Sequence, residues 1–345
     1  MGQRSKVHYC SQSRCYTLCA KGWTVNSMLG GVVTLWLADQ GVAASRPPMV
    51  DFAPCEPDLA AYRLAVGELV AEVARFADAD TVSTEHILAK RLDEEQFSAV
   101  LSATPEGRDE TIAKLLFEVR NHQPSMRNVP SPRSTSGGLT ALVRISMLAQ
   151  IDAVWWGREH GYLTDAEVLD SPDLVDLDEL ADAGLLRFRY RHQAESLVGR
   201  AARKAERRTL PGRSPRTAGL WLARTRPQAV AWLNQLADEF ARLTPPGTPP
   251  LWVTSMARSV AHQRRLKELG YVALLPSAHC VGYAADVEMA WYRRFHAHRI
   301  LRGLLLDRQR ADEVNVIDEG QAWHVCLRPR IVHGPRSLRR SRTDS

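Results

Sequence analysis

The sequence predicts an α+β fold, with a mainly helical N-terminal region followed by a small antiparallel sheet and its flanking helices. Three observations carry this. From Pro57 to about Arg203, apolar residues recur at spacings of three and four, the period of amphipathic helices. From Leu251 to Leu327, short apolar runs mix with helical stretches without the regular βαβ order of a doubly wound sheet. The 345 residues, 45% hydrophobic and 24% charged, have an ordinary globular composition and the length for two domains.

The chain opens with Arg4, Lys6, Arg14 and Lys21 and no acid through residue 27. An apolar run from Met28 to Ala38 follows, then small residues at Gly41–Ser45. That run is too short to span a bilayer as a helix, which takes about 20 residues, so no transmembrane span is expected. Basic start, apolar middle and small-residue end fit a signal peptide cut near Ala44, which implies export to the cell envelope. Without such processing the protein would stay in the cytoplasm. The early Cys10, Cys15 and Cys19 have no second set of ligands and do not make a closed zinc knuckle.

Residues 46–215 read as a mainly helical region of unassigned role. Leu59, Tyr62, Val66, Leu69, Val70 and Val73 mark one helix, and Thr81 or Ser83 caps a second. Thr111 to Val119 marks a third. A Pro-, Ser-, Arg- and Gly-rich stretch at 124–138 is a linker or exposed loop. A strong helical pattern then runs from Leu139 to Gly161, Thr164 caps a shorter helix, and Leu177 to Arg203 continues as helix with a break at Gly184. Leu210–Arg216 is punctuated by Pro and Gly, and the main domain boundary is expected there. The tail 329–345 is rich in arginine and reads as disordered. From Arg328 onward there are six arginines against Asp344 alone, so most of the net charge of +6 lies in the tail. The body offers no broad basic face, which argues against nucleic acid as a partner.

Within 216–328, Arg226–Leu243 is an amphipathic helix, Leu251–Ser255 a strand and Ala261–Gly270 a helix. Ala285–Val287 is a strand, Tyr292–Asp307 a helix, and Val314–Ile317 and Trp323–Leu327 two closing strands. His279 and Asp286 stand seven residues apart, with small residues between them, and His324 follows late in the chain. Two imidazoles and one carboxylate are a ligand set that leaves a tetrahedral Zn2+ open to water or substrate.

Three stretches then carry a resemblance. Val253-Thr254-Ser255-Met256-Ala257-Arg258-Ser259 with Gln263 resembles the strand-plus-arginine element of D-alanyl-D-alanine carboxypeptidases and dipeptidases. Ser277-x-His279-x-x-Gly282-x-Ala284-x-Asp286 is similar to their central signature at every fixed position, and Trp323-His324 to their last metal-ligand element. The resemblance spans roughly residues 220–327. It implies zinc held by His279, Asp286 and His324, and Arg258 facing the scissile carbonyl or a substrate carboxylate. It also implies that Ser277 binds substrate or supports the ligands, while Gly282 and Ala284 keep the turn compact. The partner it implies is a peptidoglycan stem peptide.

At the general-base position the pattern departs. The family has glutamate three residues before the last histidine, and here Gln321 stands there, a side chain that cannot take up and return a proton at neutral pH. Glu319 is the replacement candidate. On one extended strand it would sit roughly 6–7 Å from Gln321, too far for the same water unless the chain bends at Gly320. Asp318 is a poorer second. Cys280 and Cys326 flank the histidines and would either bridge in an oxidising compartment or stay as buried thiols. Two function classes follow: a zinc metallopeptidase acting on D-amino-acid-containing peptide bonds of peptidoglycan, or an inactive zinc-stabilised module that binds cell-wall peptides or another partner.

Overall fold

The computed structural model describes residues 56–76, 81–122, 137–194, 196–209, 214–215 and 217–333, together with the backbone of 10–11, 14–19, 22–27 and 31–33. The expected signal cleavage near Ala44 lies outside the described residues, as do 124–136 of the linker expected at 124–138 and 334–345 of the disordered tail expected at 329–345. Residues 137–138 begin a helix, and Pro329–His333 form a short helix because that segment continues from the closing strand. Residues 1–55 are a unit by themselves, in which β1 (Cys10–Ser11), β2 (Arg14–Cys19), β3 (Gly22–Ser27) and β4 (Gly31–Val33) pair antiparallel in chain order.

Residues 56–345 form a second unit, and the boundary expected near 210 does not divide it. Its fold is α+β. The helices α1 (Leu59–Arg75), α2 (Thr81–Arg91), α3 (Glu95–Ala103) and α4 (Arg108–Arg120) come first, then α5 (Gly137–Trp156). The Asp58 side chain caps α1 by accepting from the Ala60 and Ala61 amides. The apolar stripes of α1 to α4 close around one side of α5, burying Tyr62, Leu69, Phe97, Leu101 and Ile151 completely. Tyr62 also donates its hydroxyl to the Met147 carbonyl at 2.7 Å.

By length and composition α5 could cross a membrane, whereas the sequence reading expected no such helix. Here it is a central helix. Ala141, Leu142, Val143, Ile145, Met147, Ile151, Asp152, Ala153 and Trp156 are all buried, so it is covered on more than one side.

After α5 come α6 (Asp165–Asp170) and the strand β5 (Val175–Asp176), which pairs with β6 (Arg224–Thr225). Thr164 caps α6 as expected, accepting from the Glu167 amide while Glu167 accepts from the Leu163 amide. The long helix expected over 177–203 is two helices, α7 (Leu177–Asp182) and α8 (Leu197–Thr209). The residues between run beside other strands: Arg189 bridges to Trp252 and His192 to Leu220. These tertiary pairings take backbone groups that a continuous helix would have used.

Then follow α9 (Pro227–Leu243), β7 (Val253–Ser255), α10 (Val260–Glu268), β8 (Ala284–Glu288), α11 (His298–Arg310), β9 (Val314–Asp318), β10 (Ala322–Leu327) and α12 (Pro329–His333). The helix expected from Tyr292 starts later, because Trp291–Phe295 forms a 3-10 turn ended by His296 in the left-handed region. The sheet is antiparallel, in the order β7-β8-β10-β9. Alternation gives it two unlike faces. Val253, Ala285, Val287, Val314, Val316, Trp323, Val325 and Leu327 face α9 and α11, forming the main core with Trp232, Leu233, Phe240, Leu301 and Leu305. The intervening residues of β8, β9 and β10 face the other way, toward α5. Trp156 of α5 stacks on Tyr283 with ring centroids 4.0 Å apart and donates its indole N–H to the Leu327 carbonyl.

Candidate functional site

The polar face of the sheet carries the site. Register places Ser255 opposite Asp286, Asp286 opposite His324, and His324 opposite Ile317, so one row crosses all four strands. His279 reaches that row from a 3-10 turn, Ala278–Val281, which Gly282 ends in the left-handed region at φ 81°. A Cβ at Gly282 would come within 3.0 Å of both Arg226 and Leu174, so both backbone and packing require glycine there.

His279, Asp286 and His324 are buried and converge. His279 Nε2 lies 3.1 Å from Asp286 Oδ1 and 3.1 Å from His324 Nδ1, and His324 Nδ1 lies 3.2 Å from Asp286 Oδ1. These are close to the edges of a coordination tetrahedron, about 3.3–3.4 Å for bonds of about 2.0–2.1 Å.

The outer hydrogen bonds fix the tautomers. His279 Nδ1 is 2.8 Å from the Met256 carbonyl, which can only accept, so Nδ1 holds the proton and Nε2 presents a lone pair. His324 Nε2 is 2.8 Å from Asp152 Oδ2, which likewise takes the N–H and leaves the Nδ1 lone pair facing inward. In these tautomers two imine nitrogens and a carboxylate oxygen point at one spot, and a cation there, a metal ion or a proton on His324 Nδ1, relieves their mutual repulsion. The group could hold a metal ion.

The two histidines differ in how they hold protons when no metal is bound. Burial, with the Arg258 charge, lowers His279 to about 4, so its imidazole is neutral. Burial alone would lower His324 as well, but the bond to Asp152, its charge, and Asp286 outweigh burial and lift it to about 10. A proton and a metal compete for the same Nδ1 lone pair. Asp286 would be raised by burial, yet the Arg258 charge and the hydrogen bond from His324 hold it well below the usual carboxylate range.

Arg258 lies against the site in a cage of three acceptors. Its Nε donates to Ser255 Oγ at 2.7 Å, Nη1 to Gln263 Oε1 at 3.2 Å and Nη2 to Asp286 Oδ2 at 2.5 Å. Each bond uses one N–H, so guanidinium donors remain for a ligand. Its observed work is to hold the second oxygen of Asp286, which leaves Oδ1 aimed inward. Ser277 lines the same pocket, and no hydroxyl partner for it is found among the described residues.

Glu319 and Gln321 separate. The chain does bend at Gly320, and Asp318 to Trp323 is a hairpin. Trp323 pairs with Asp318, the Glu319 amide donates to the Ala322 carbonyl, and Gly320 turns the chain at φ 89°. Glu319 continues β9 rather than preceding His324 on β10, and it lines the pocket with Asp152, Arg258, Ser277, His279 and His324. Burial, reinforced by the Asp286 charge, raises it to about 7. Gln321 is exposed, lies outside that pocket, and offers its carbonyl to the Met289 and Ala290 amides. Asp318, the poorer second candidate, gives its carboxylate to the Gly320 amide and its carbonyl to Arg144. Cys280 and Cys326 are free, buried thiols; burial raises Cys280 to about 11 and lifts Cys326 well above the usual thiol range.

Asp152 escaped the sequence reading. It sits 172 residues from His324 in the chain, and only the packing of α5 on the sheet brings them together. A signal was present in Ala149-Gln150-Ile151-Asp152-Ala153-Val154, because a carboxylate inside an apolar helix needs a buried partner. Asn315 holds it in turn, donating to Asp152 Oδ1 at 2.9 Å and to the Leu148 carbonyl at 3.0 Å, and Arg63 reaches Asn315 Oδ1 at 3.4 Å. Asp152→Asn should weaken metal binding by roughly 10–100-fold while the chain stays folded, as outer partners of metal-binding histidines do. Titration against a chromogenic chelator measures this; unchanged affinity would remove Asp152 from the centre.

No family model, curated protein or solved structure matches the chain. Its function is therefore argued from this geometry and from the motif resemblance.

Proposed function

We propose that the chain is a zinc metallopeptidase that hydrolyses D-amino-acid-containing peptide bonds of peptidoglycan stem peptides. The observation that carries it is the convergence of His279 Nε2, His324 Nδ1 and Asp286 Oδ1 at 3.1–3.2 Å with both tautomers set outward. Nitrogen and oxygen donors in that number suit zinc with an open fourth position. When bound, zinc lowers the pKa of water and polarises a carbonyl.

The chain's own residues supply the rest. Glu319, raised to about 7 and lining the same pocket, takes a proton from the attacking water and returns it to the leaving amine. Arg258 faces the oxyanion or a substrate carboxylate with its remaining donors. Ser277 offers a hydroxyl to the substrate backbone. Asp152 and the Met256 carbonyl keep the two imidazoles turned to the centre.

The binding-module reading drew its support from Gln321. With Gln321 exposed and Glu319 on the pocket wall, the enzyme reading is the better supported. Metal analysis of the purified protein, followed by mass spectrometry of treated peptidoglycan, tests it. One zinc per chain with loss of terminal D-alanine is expected. A zinc-loaded protein that cleaves no stem peptide would return the function to binding.

A further inference from the structure

We propose that the cavity adjoining the metal pocket binds the acyl-side segment of the substrate, and that Arg264 selects a segment bearing a carboxylate. The inference rests on the peptidase reading above and adds a substrate preference to it. The cavity has a volume of about 320 Å³, at the small end of the range of about 300–1,000 Å³ usual for ligand sites. It lies between α4, α5 and the segment that leads from α10 to the His279 turn. Ala149, Leu274 and Pro276 line both this cavity and the pocket of His279, His324 and Glu319, so the two spaces share a wall.

Leu115, Phe117 and Ala153, with the three shared residues, give it a mainly apolar lining suited to small aliphatic side chains. Phe117 is 58% exposed, a large ring left open where a ligand would cover it.

The charges decide the ligand. Lys114 pairs with Glu106, and Lys267 with Glu118, so both acids on the wall are taken. Arg264, exposed on α10, has no ion-pair partner among the described residues. One cation is left uncompensated, and a guanidinium is a fork suited to a carboxylate. A carboxypeptidase substrate ends at its leaving residue, so a longer peptide extends from the scissile bond only on the acyl side. The α4 and α5 walls lie outside residues 220–327, so the helical region would help build this subsite as well as supply Asp152 to His324.

Phosphinate isosteres of D-Ala-D-Ala test this by anchoring at the metal without being cleaved. One is unextended, one carries acetyl-glutamyl and one acetyl-lysyl on the acyl side. Calorimetry on the zinc-loaded protein should show the glutamyl compound binding at least about tenfold tighter than the lysyl one, equivalent to about 1.4 kcal/mol. Arg264→Glu should invert that order, and Phe117→Ala should weaken both extended compounds while sparing the unextended one. Equal binding of the two extended compounds, or a preference unchanged in Arg264→Glu, overturns the inference and leaves the peptidase reading standing. If the unextended compound fails to bind the zinc-loaded protein, the peptidase reading falls and this inference with it.

Discussion

His279→Ala should abolish stoichiometric zinc while leaving the main core intact. The substitution removes one of three protein donors, and its effect should exceed the roughly 10–100-fold loss typical of an outer partner such as Asp152. His279 is 2% exposed and sits in a 3-10 turn on the face opposite the core built by α9 and α11, so truncation empties the centre without touching that core. It also leaves Asp286 and His324 facing each other at 3.2 Å, a pair that can share a proton where three donors could share a cation. Elemental analysis after dialysis against a weak chelator, with circular dichroism as the control for folding, measures the outcome. Full retention of zinc by a folded variant would remove His279 from the ligand set.

Glu319→Gln should keep the metal and lower turnover by about 10²–10⁴-fold, the range expected when a general base is lost. The same side-chain length and hydrogen-bonding reach remain, but the amide cannot accept a proton. Gln321→Glu is the matched control. Its side chain is exposed and outside the pocket, so a carboxylate there should neither raise the activity of the wild type nor rescue Glu319→Gln. Undiminished turnover in Glu319→Gln would clear that residue, and rescue by Gln321→Glu would place the base on β10 instead of β9.

Much of the sheet and its donors could be read from the sequence for one reason. The strands β8 and β10 alternate cleanly, Ala284-Ala285-Asp286-Val287-Glu288 and Ala322-Trp323-His324-Val325-Cys326-Leu327, and alternation assigns Asp286 and His324 to one face before any pairing is known. The spacing of His279 and Asp286 survived because a short turn and one glycine determine it locally.

What could not be read depends on contacts distant in the chain. Whether Glu319 reaches the centre could not be decided in advance, because an extended Asp318–Trp323 and one bent at Gly320 place its carboxylate differently; only the pairing of β9 with β10 makes Gly320 the tip of a hairpin. The helix over 177–203 broke because Arg189 and His192 pair with Trp252 and Leu220, partners that periodicity does not reveal. The boundary near 210 was drawn on Pro and Gly punctuation, which marks loops equally well inside a single unit.

Because α5 fills the N-terminal helical core with one side and gives Asp152 to His324 with another, the segment that carries the motifs is not a portable cassette. A chain begun at residue 216 would keep the donors but lose the acceptor that aims His324, the helix that covers the sheet's polar face, and two walls of the adjoining cavity. Substitutions along α5 should therefore be tolerated or rejected by the fate of the centre as much as by the fate of the helix.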